Sequence, residues 1–153
     1  MIVPAEGEFR LTGETHAARL GAALGKVLER GEAVCLTGPL GAGKSVIARG
    51  LIRALCPAEA DVPSPTFTLV QTYDGPRFPI AHIDLYRLAR ADEAFELGLD
   101  DALKSGAAVI EWAERLGHHL PADRVDVDIA LDGEARRARL TPHGAWEGRP
   151  IDL

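Results

Sequence analysis

The chain has 153 residues, a mass of 16.3 kDa and a formal net charge of −6. That length suits a single domain, residues 1–153, with a true core, and the 46% apolar content leaves no compositional case for disorder. The acidic balance argues against a protein that coats nucleic acid: no DNA partner is expected, and any RNA contact is local or made through another protein.

Glu8 to Leu11 reads as a short edge strand. The helix after it takes its cap from Thr12 or Thr15, buries Ala17, Ala18, Leu20, Leu24, Val27 and Leu28, and ends at Gly31. Ala33-Val34-Cys35-Leu36-Thr37 is then an apolar strand, followed by Gly38-Pro39-Leu40-Gly41-Ala42-Gly43-Lys44-Ser45. This octet fits G-x-x-x-x-G-K-[ST]. Average glycine usage of about 7% makes a chance match in a chain of this length a roughly one-in-a-hundred event, so the match carries information. Val46, Ile47, Leu51, Ala54 and Leu55 recur behind it at helical spacing. Strand, glycine loop and helix are the context a phosphate-binding loop requires. Glycines at Gly38, Gly41 and Gly43 let backbone N–H groups turn inward, with Leu40 and Ala42 between them, and the helix adds its positive N-terminal dipole. Lys44 reaches the outer phosphates and Ser45 ligates Mg²⁺. The chain has only three lysines, Lys26, Lys44 and Lys104, so one in this loop is poorly explained as surface decoration.

Beyond this helix, two prolines hold Ser64 extended, and Thr66 to Tyr73 reads as a strand. Asp74-Gly75-Pro76 turns the chain into Pro79 to Asp84, completing a hairpin. Asp84 closes an apolar run, the place of a Walker B acid near the Mg²⁺ shell, or else caps the next element. His82 reads as a core or sheet-surface histidine, and Arg87 as a salt-bridge residue or a phosphate contact. Residues 91–97 and 100–104 are short helices broken at Gly98. Ala107 to Ile110 is a buried strand that delivers Glu111 and Trp112 to its carboxyl end, where ligands bind in open α/β sheets. Glu111 there can orient water or complete a magnesium shell. Arg124 to Leu131 alternates with period two and pairs across Asp132-Gly133-Glu134 with a strand carrying Arg136, Arg137 and Arg139. The tail from Pro142 to Leu153 shows no chemistry. Cys35 and Cys56 lack metal-type spacing and read as buried thiols. Without an apolar run of about 18 residues, and with Glu6 and Glu8 where a signal peptide carries bases, no membrane association is expected and the chain reads as cytoplasmic.

The fold expected is α/β: a P-loop NTPase three-layer sandwich whose central sheet is mostly parallel, with antiparallel hairpin additions. The absence of asparagine removes the Asn-Lys-x-Asp element that reads guanine, which leaves ATP as the default nucleotide. Thr37 to Ser45, Ser64-Pro-Thr-Phe-Thr-Leu-Val, His82-Ile-Asp-Leu-Tyr-Arg-Leu, Glu96-Leu-Gly-Leu and Ile110-Glu-Trp-Ala-Glu-Arg occur in that order. Together they resemble the TsaE (YjeE) family over nearly the whole chain. Pro39 stands where members often carry aspartate, at a position the general motif leaves variable. The resemblance implies a Mg²⁺-dependent ATPase, weak alone, required for threonylcarbamoyladenosine at position 37 of tRNAs. It implies action with TsaB and TsaD to reset the transferase, with tRNA contacted through the complex. Lys44 and the loop would hold the phosphates, Ser45, Asp84 and Glu111 the metal, and Asp84 and Glu111 would be catalytic. Thr66 would belong to a switch-like element sensing the γ-phosphate, and Trp112 would lie beside the site. For the adenine, Thr15 and Arg137 of the last hairpin are the candidates. The competing readings are a nucleotide-dependent binding module whose hydrolysis is incidental and a small-molecule kinase.

Overall fold

A computed structural model describes residues 1–58, 62 and 69–153. In chain order it contains β1 (Ile2–Pro4), β2 (Gly7–Leu11), α1 (Glu14–Val27), β3 (Ala33–Thr37), α2 (Lys44–Leu55), β4 (Val70–Asp74) and β5 (Pro79–Asp84). There follow α3 (Glu93–Glu96), α4 (Leu99–Ser105), β6 (Ala107–Glu111), β7 (Arg124–Asp132), β8 (Ala135–His143) and β9 (Pro150–Asp152), with 3-10 segments at Ala113–His119 and Gly144–Trp146.

Seven strands make one sheet in the order β2-β8-β7-β3-β6-β5-β4. Its centre, β7-β3-β6-β5, is parallel, while β8, β2 and β4 join antiparallel at the margins. Both hairpins read from the sequence are present, and the parallel centre matches the expected architecture. The reason is compositional: Ala33 to Leu36 and the whole of β6 are buried, as strands covered on both faces must be. One face packs Val34, Leu36, Val109 and Val127 beneath α1 and α2; the other packs Cys35, Ile83 and Ile110 beneath Leu99 of α4 and Leu116 of the 3-10 segment. Both cysteines are buried outside any disulfide among the described residues, and burial pushes the Cys35 thiol far up.

Helices α1 and α2 touch backbone to backbone. A Cβ on Gly21 would lie 2.1 Å from the Ile47 carbonyl oxygen, and one on Gly50 2.4 Å from that of Ala18. Helix propensity alone favours alanine over glycine by about 1 kcal/mol. Overpacking at this crossing costs more, so Gly21→Ala is expected to lower unfolding stability by about 2 kcal/mol, measured by urea denaturation.

Three local expectations are corrected. Helix α1 begins at Glu14 with Gly13 as its N-cap residue and has no side-chain cap. Thr12 instead donates its backbone N–H to His16 Nδ1 at 3.3 Å, and Thr15 sits inside the first turn, so neither threonine caps. The helix ends at Val27, with Leu28 already extended, and does not reach Gly31. The C-terminal tail, read as featureless, belongs to the core: β9 pairs with β1, and Trp146 is fully buried. Arg149 grips Glu32 through two bonds of 2.6 and 2.8 Å and stacks over Trp146 at 4.5 Å. This bidentate pair ties the last strand to the turn that leads into β3. Among the described residues no helix is long and apolar enough to cross a membrane.

Candidate functional site

The loop between β3 and α2 turns on glycines in left-handed conformations, at Gly38 (φ 140°), Gly41 (φ 78°) and Gly43 (φ 104°). Side chains rarely adopt these angles. At Gly38 a Cβ would also lie 2.5 Å from the Ile129 carbonyl oxygen, so the loop is seated against β7 as well as bent. Helix α2 starts at Lys44 directly behind Gly43, and the first N–H groups of a helix have no partner within it.

Lys44 is buried. Its Nζ donates to the carbonyls of Gly38 at 2.6 Å and Pro39 at 2.8 Å, and lies 4.1 Å from the centre of the Trp112 ring. Burial holds its pKa below the usual lysine range, with Glu111, Glu114 and Asp84 pulling the other way. Trp112 has φ 59° and ψ 41°, left-handed for a residue with a side chain. A conformation of this kind costs on the order of 1–3 kcal/mol; here it turns the end of β6 so that the indole covers the lysine. Tyr86 packs against it with ring centres 4.9 Å apart.

Strands β5 and β6 run parallel with Asp84 opposite Glu111, so two carboxylates stand side by side at their carboxyl ends. Ser45 Oγ donates to Glu111 Oε1 at 2.8 Å, and His82 Nε2 donates to Glu111 Oε2 at 2.6 Å. Asp84 Oδ1 accepts the Tyr86 N–H at 3.0 Å, so it also caps the turn after β5. Burial raises the Asp84 pKa, the Tyr86 N–H opposes that, and Glu111 raises it further.

A raised acid pKa means that the neutral form is favoured by folding. The stability it contributes is present below the ordinary carboxylate pKa and lost as pH rises through the raised value. Asp84→Asn keeps the acceptor for Tyr86 and removes the buried charge. In chelator-treated buffer it is expected to melt above the parent protein at neutral pH. The difference should shrink as pH falls through the raised Asp84 pKa toward the ordinary carboxylate range; both are read from melting curves at neutral and acidic pH.

Lys44, Ser45, Asp84, Glu111 and Trp112 line one cleft of about 460 Å³, together with Leu40, Gly41, Gly43, Tyr86 and Arg87. Ala42 is buried beneath the loop and Leu40 is exposed at its tip. A second cavity of about 200 Å³ lies against the loop, between Leu11, Gly13, Glu14, Ala17, Val46, Glu134 and Arg136. Arg136 Nη2 donates to the Gly41 carbonyl at 3.3 Å.

The structure thus brings together every loop residue read from the sequence, with Asp84, Glu111 and Trp112. Two others fall elsewhere. Thr15 is exposed, and its neighbour Glu14 lines both cavities. Arg137 projects from β8 toward Glu8 and Asp132, while Arg136 is the arginine at the loop. Adjacent strand residues point to opposite faces, so the choice between them rested on a register the sequence does not display. Thr66 lies outside the described residues. Arg87 lines the cleft and forms no ion pair among the described residues. The residue read as core that belongs to the site is His82, and its signal was its position two before Asp84, on the same strand face.

The donor set suits a magnesium-bound polyphosphate: a hydroxyl and two carboxylates supply hard oxygens in the cleft that Lys44 also lines. The model for the family described as Threonylcarbamoyl adenosine biosynthesis protein TsaE matches residues 11–139. The tRNA threonylcarbamoyladenosine biosynthesis protein TsaE of Rickettsia bellii (strain RML369-C) is 38% identical over 132 residues, covering 86% of this chain and 92% of that protein. Its namesake from Treponema pallidum (strain Nichols) is 38% identical over 121 residues, 78% of this chain and 88% of that one. A crystal structure of Bacillus subtilis YdiB superimposes with a TM-score of 0.73 at 26% identity, covering 94% of this chain and 88% of the other. Spanning most of the chain with the whole described site inside the matched region, these likenesses place the protein in the TsaE family.

Proposed function

We propose that this protein is a P-loop, Mg²⁺-dependent ATPase of the cytoplasm that serves formation of threonylcarbamoyladenosine at position 37 of tRNAs. It works with TsaB and TsaD homologues, and its ATP turnover resets the transferase between rounds. The observation that carries the reading is the convergence, in one cleft, of the glycine loop, Lys44, Ser45 and the Asp84–Glu111 pair.

Lys44, whose ammonium now donates to the Gly38 and Pro39 carbonyls, would meet the γ- and β-phosphates. Loop amides and the start of α2 accept the remaining phosphate charge. Ser45, Asp84 and Glu111 would hold Mg²⁺, which when bound neutralises phosphate oxygens as a Lewis acid. Glu111, whose Oε1 accepts from Ser45 in this structure, would orient a water and take its proton. Trp112 and Tyr86 wall the cleft and exclude bulk water. Thr66 would report the γ-phosphate to the partners, as the family resemblance implies. The chain's acidity leaves tRNA contact to the complex.

The smaller cavity suits the adenine: Leu11, Ala17 and Val46 offer apolar contact for a flat base, with the Arg136 guanidinium at the rim. Arg136→Ala is expected to weaken ATP and ADP binding by about 10-fold, the loss of one charged hydrogen bond or stacking contact. Arg137→Ala should bind nucleotide as the parent does. Titration calorimetry on the two variants decides between them.

The function itself is tested by ATP hydrolysis measured alone and with the TsaB–TsaD pair. Slow hydrolysis alone and strong stimulation by the pair are expected. Failure to bind ATP would overturn the ATPase, and binding without any effect of the pair would overturn the partnership.

A further inference from the structure

We infer that His82 is a positioning residue, which fixes the Glu111 carboxylate for its work rather than filling the core. The inference rests on the ATPase reading of the cleft and assigns that site a further participant.

His82 is 0% exposed, on the same face of β5 as Ile80 and Asp84. Its neighbours in the strand are apolar, and an imidazole there gives up hydration that a leucine would not have to lose. Among the described residues, its side chain's one hydrogen bond is to Glu111 Oε2 at 2.6 Å. Nδ1 is also buried and has no hydrogen-bond partner among the described residues. The ring therefore does not knit the core together; the polar contact it makes goes to one carboxylate oxygen. Because an ionised carboxylate only accepts, the bond runs from Nε2–H to Oε2.

The alternative position of Glu111 explains what that bond prevents. The Lys44 ammonium lines the same cleft as Glu111, whose negative charge acts on it. In a partly buried cleft the two attract strongly. A carboxylate held only by Ser45 could swing to the lysine, and the swing would remove both groups from the phosphates at once. With one oxygen on Ser45 and the other on His82, Glu111 is held at both ends. When Ser45 turns away, His82 alone keeps the carboxylate plane. A second contact on a ligating or basic carboxylate is the usual means of fixing its orientation.

The test uses the full chain with three substitutions: His82→Leu, similar in volume but without a donor; His82→Gln, whose amide N–H can occupy the Nε2 position; and Glu111→Gln combined with His82→Leu. Melting curves and ATP and Mg²⁺ titrations by calorimetry accompany steady-state hydrolysis with the partner pair. His82→Leu is expected to bind ATP within about 3-fold of the parent, to bind Mg²⁺ more weakly in the presence of ATP, and to lose kcat by about 100-fold with KM unchanged, the scale of a misplaced catalytic group. His82→Gln should recover at least a tenth of the parent kcat. In the Glu111→Gln background, His82→Leu should have no further effect on kcat, since a residue acting through Glu111 has nothing left to position.

A parent-like kcat in His82→Leu, a Gln variant no better than Leu, or additive losses in the double variant would each overturn the inference. If His82→Leu fails to fold, His82→Gln decides: a folded Gln variant with parent-like Mg²⁺ affinity and at least a tenth of the kcat supports positioning, and a folded but inactive one overturns it. If the parent itself does not bind ATP, the ATPase reading fails instead, a result distinct from all of these.

Discussion

Lys44→Ala is expected to abolish ATP and ADP binding at millimolar concentrations while leaving the protein folded. Lys44 is the ammonium inside the cleft, fixed between the Gly38 and Pro39 carbonyls and above the Trp112 ring. A charge-assisted bond to phosphate contributes roughly 1.5–3 kcal/mol, and removing this positive charge adds repulsion between phosphates and the two carboxylates. Together these correspond to a loss of about 10²–10³ in affinity. Folding should survive, since burial already disfavours the charged lysine and its loss relieves that cost. Calorimetric titration with ATP and ADP measures the first part and a melting curve the second. Parent-like affinity in a folded variant would remove the glycine loop from nucleotide binding.

Glu111→Gln is expected to separate binding from turnover. The amide keeps nearly the same shape, and its oxygen can still accept from Ser45 as Oε1 does. ATP affinity should stay within about 3-fold, while kcat falls by about 10²–10³, the usual cost of losing a general base. Coupled to the TsaB–TsaD pair and tRNA, the variant should complete one round of modification and then stall. Multiple rounds at the parent rate, with ATP bound and unhydrolysed, would make the ATP-bound form the working state and hydrolysis incidental. A filter assay counting modified tRNA per protein distinguishes the two.

These effects fall on residues that the amino-acid sequence alone names, for a definite reason. A phosphate cradle is built from consecutive residues: the turn needs glycines, the anion needs N–H groups at a helix start, and the lysine and serine follow within the same turn. All its chemistry is local, so it is written contiguously from Gly38 to Ser45. Asp84 and Glu111 were legible by a similar argument, each being a carboxylate that ends a buried strand. The two hairpins and the break at Gly98 were readable too, because turn residues separate periodic segments.

What chain order could not display was lateral contact. Whether Arg136 or Arg137 meets the loop depends on which face of β8 looks inward, and one residue of register exchanges them. Thr15 and Glu14 are neighbours in sequence, yet only the rotation of α1 about its axis decides that Glu14 lines the cleft. The tail looked inert because its partners, β1 and Glu32, lie more than a hundred residues away. His82 looked like core for the same reason: nothing near it in the sequence shows that Glu111, on the next parallel strand, needs a second donor. The sequence alone therefore determined the glycine loop, the acids and the strand pattern, since those follow from local backbone chemistry and periodicity. Only the tertiary structure decided which side chains meet across strands and helices, since contacts between distant segments are set by register and packing together.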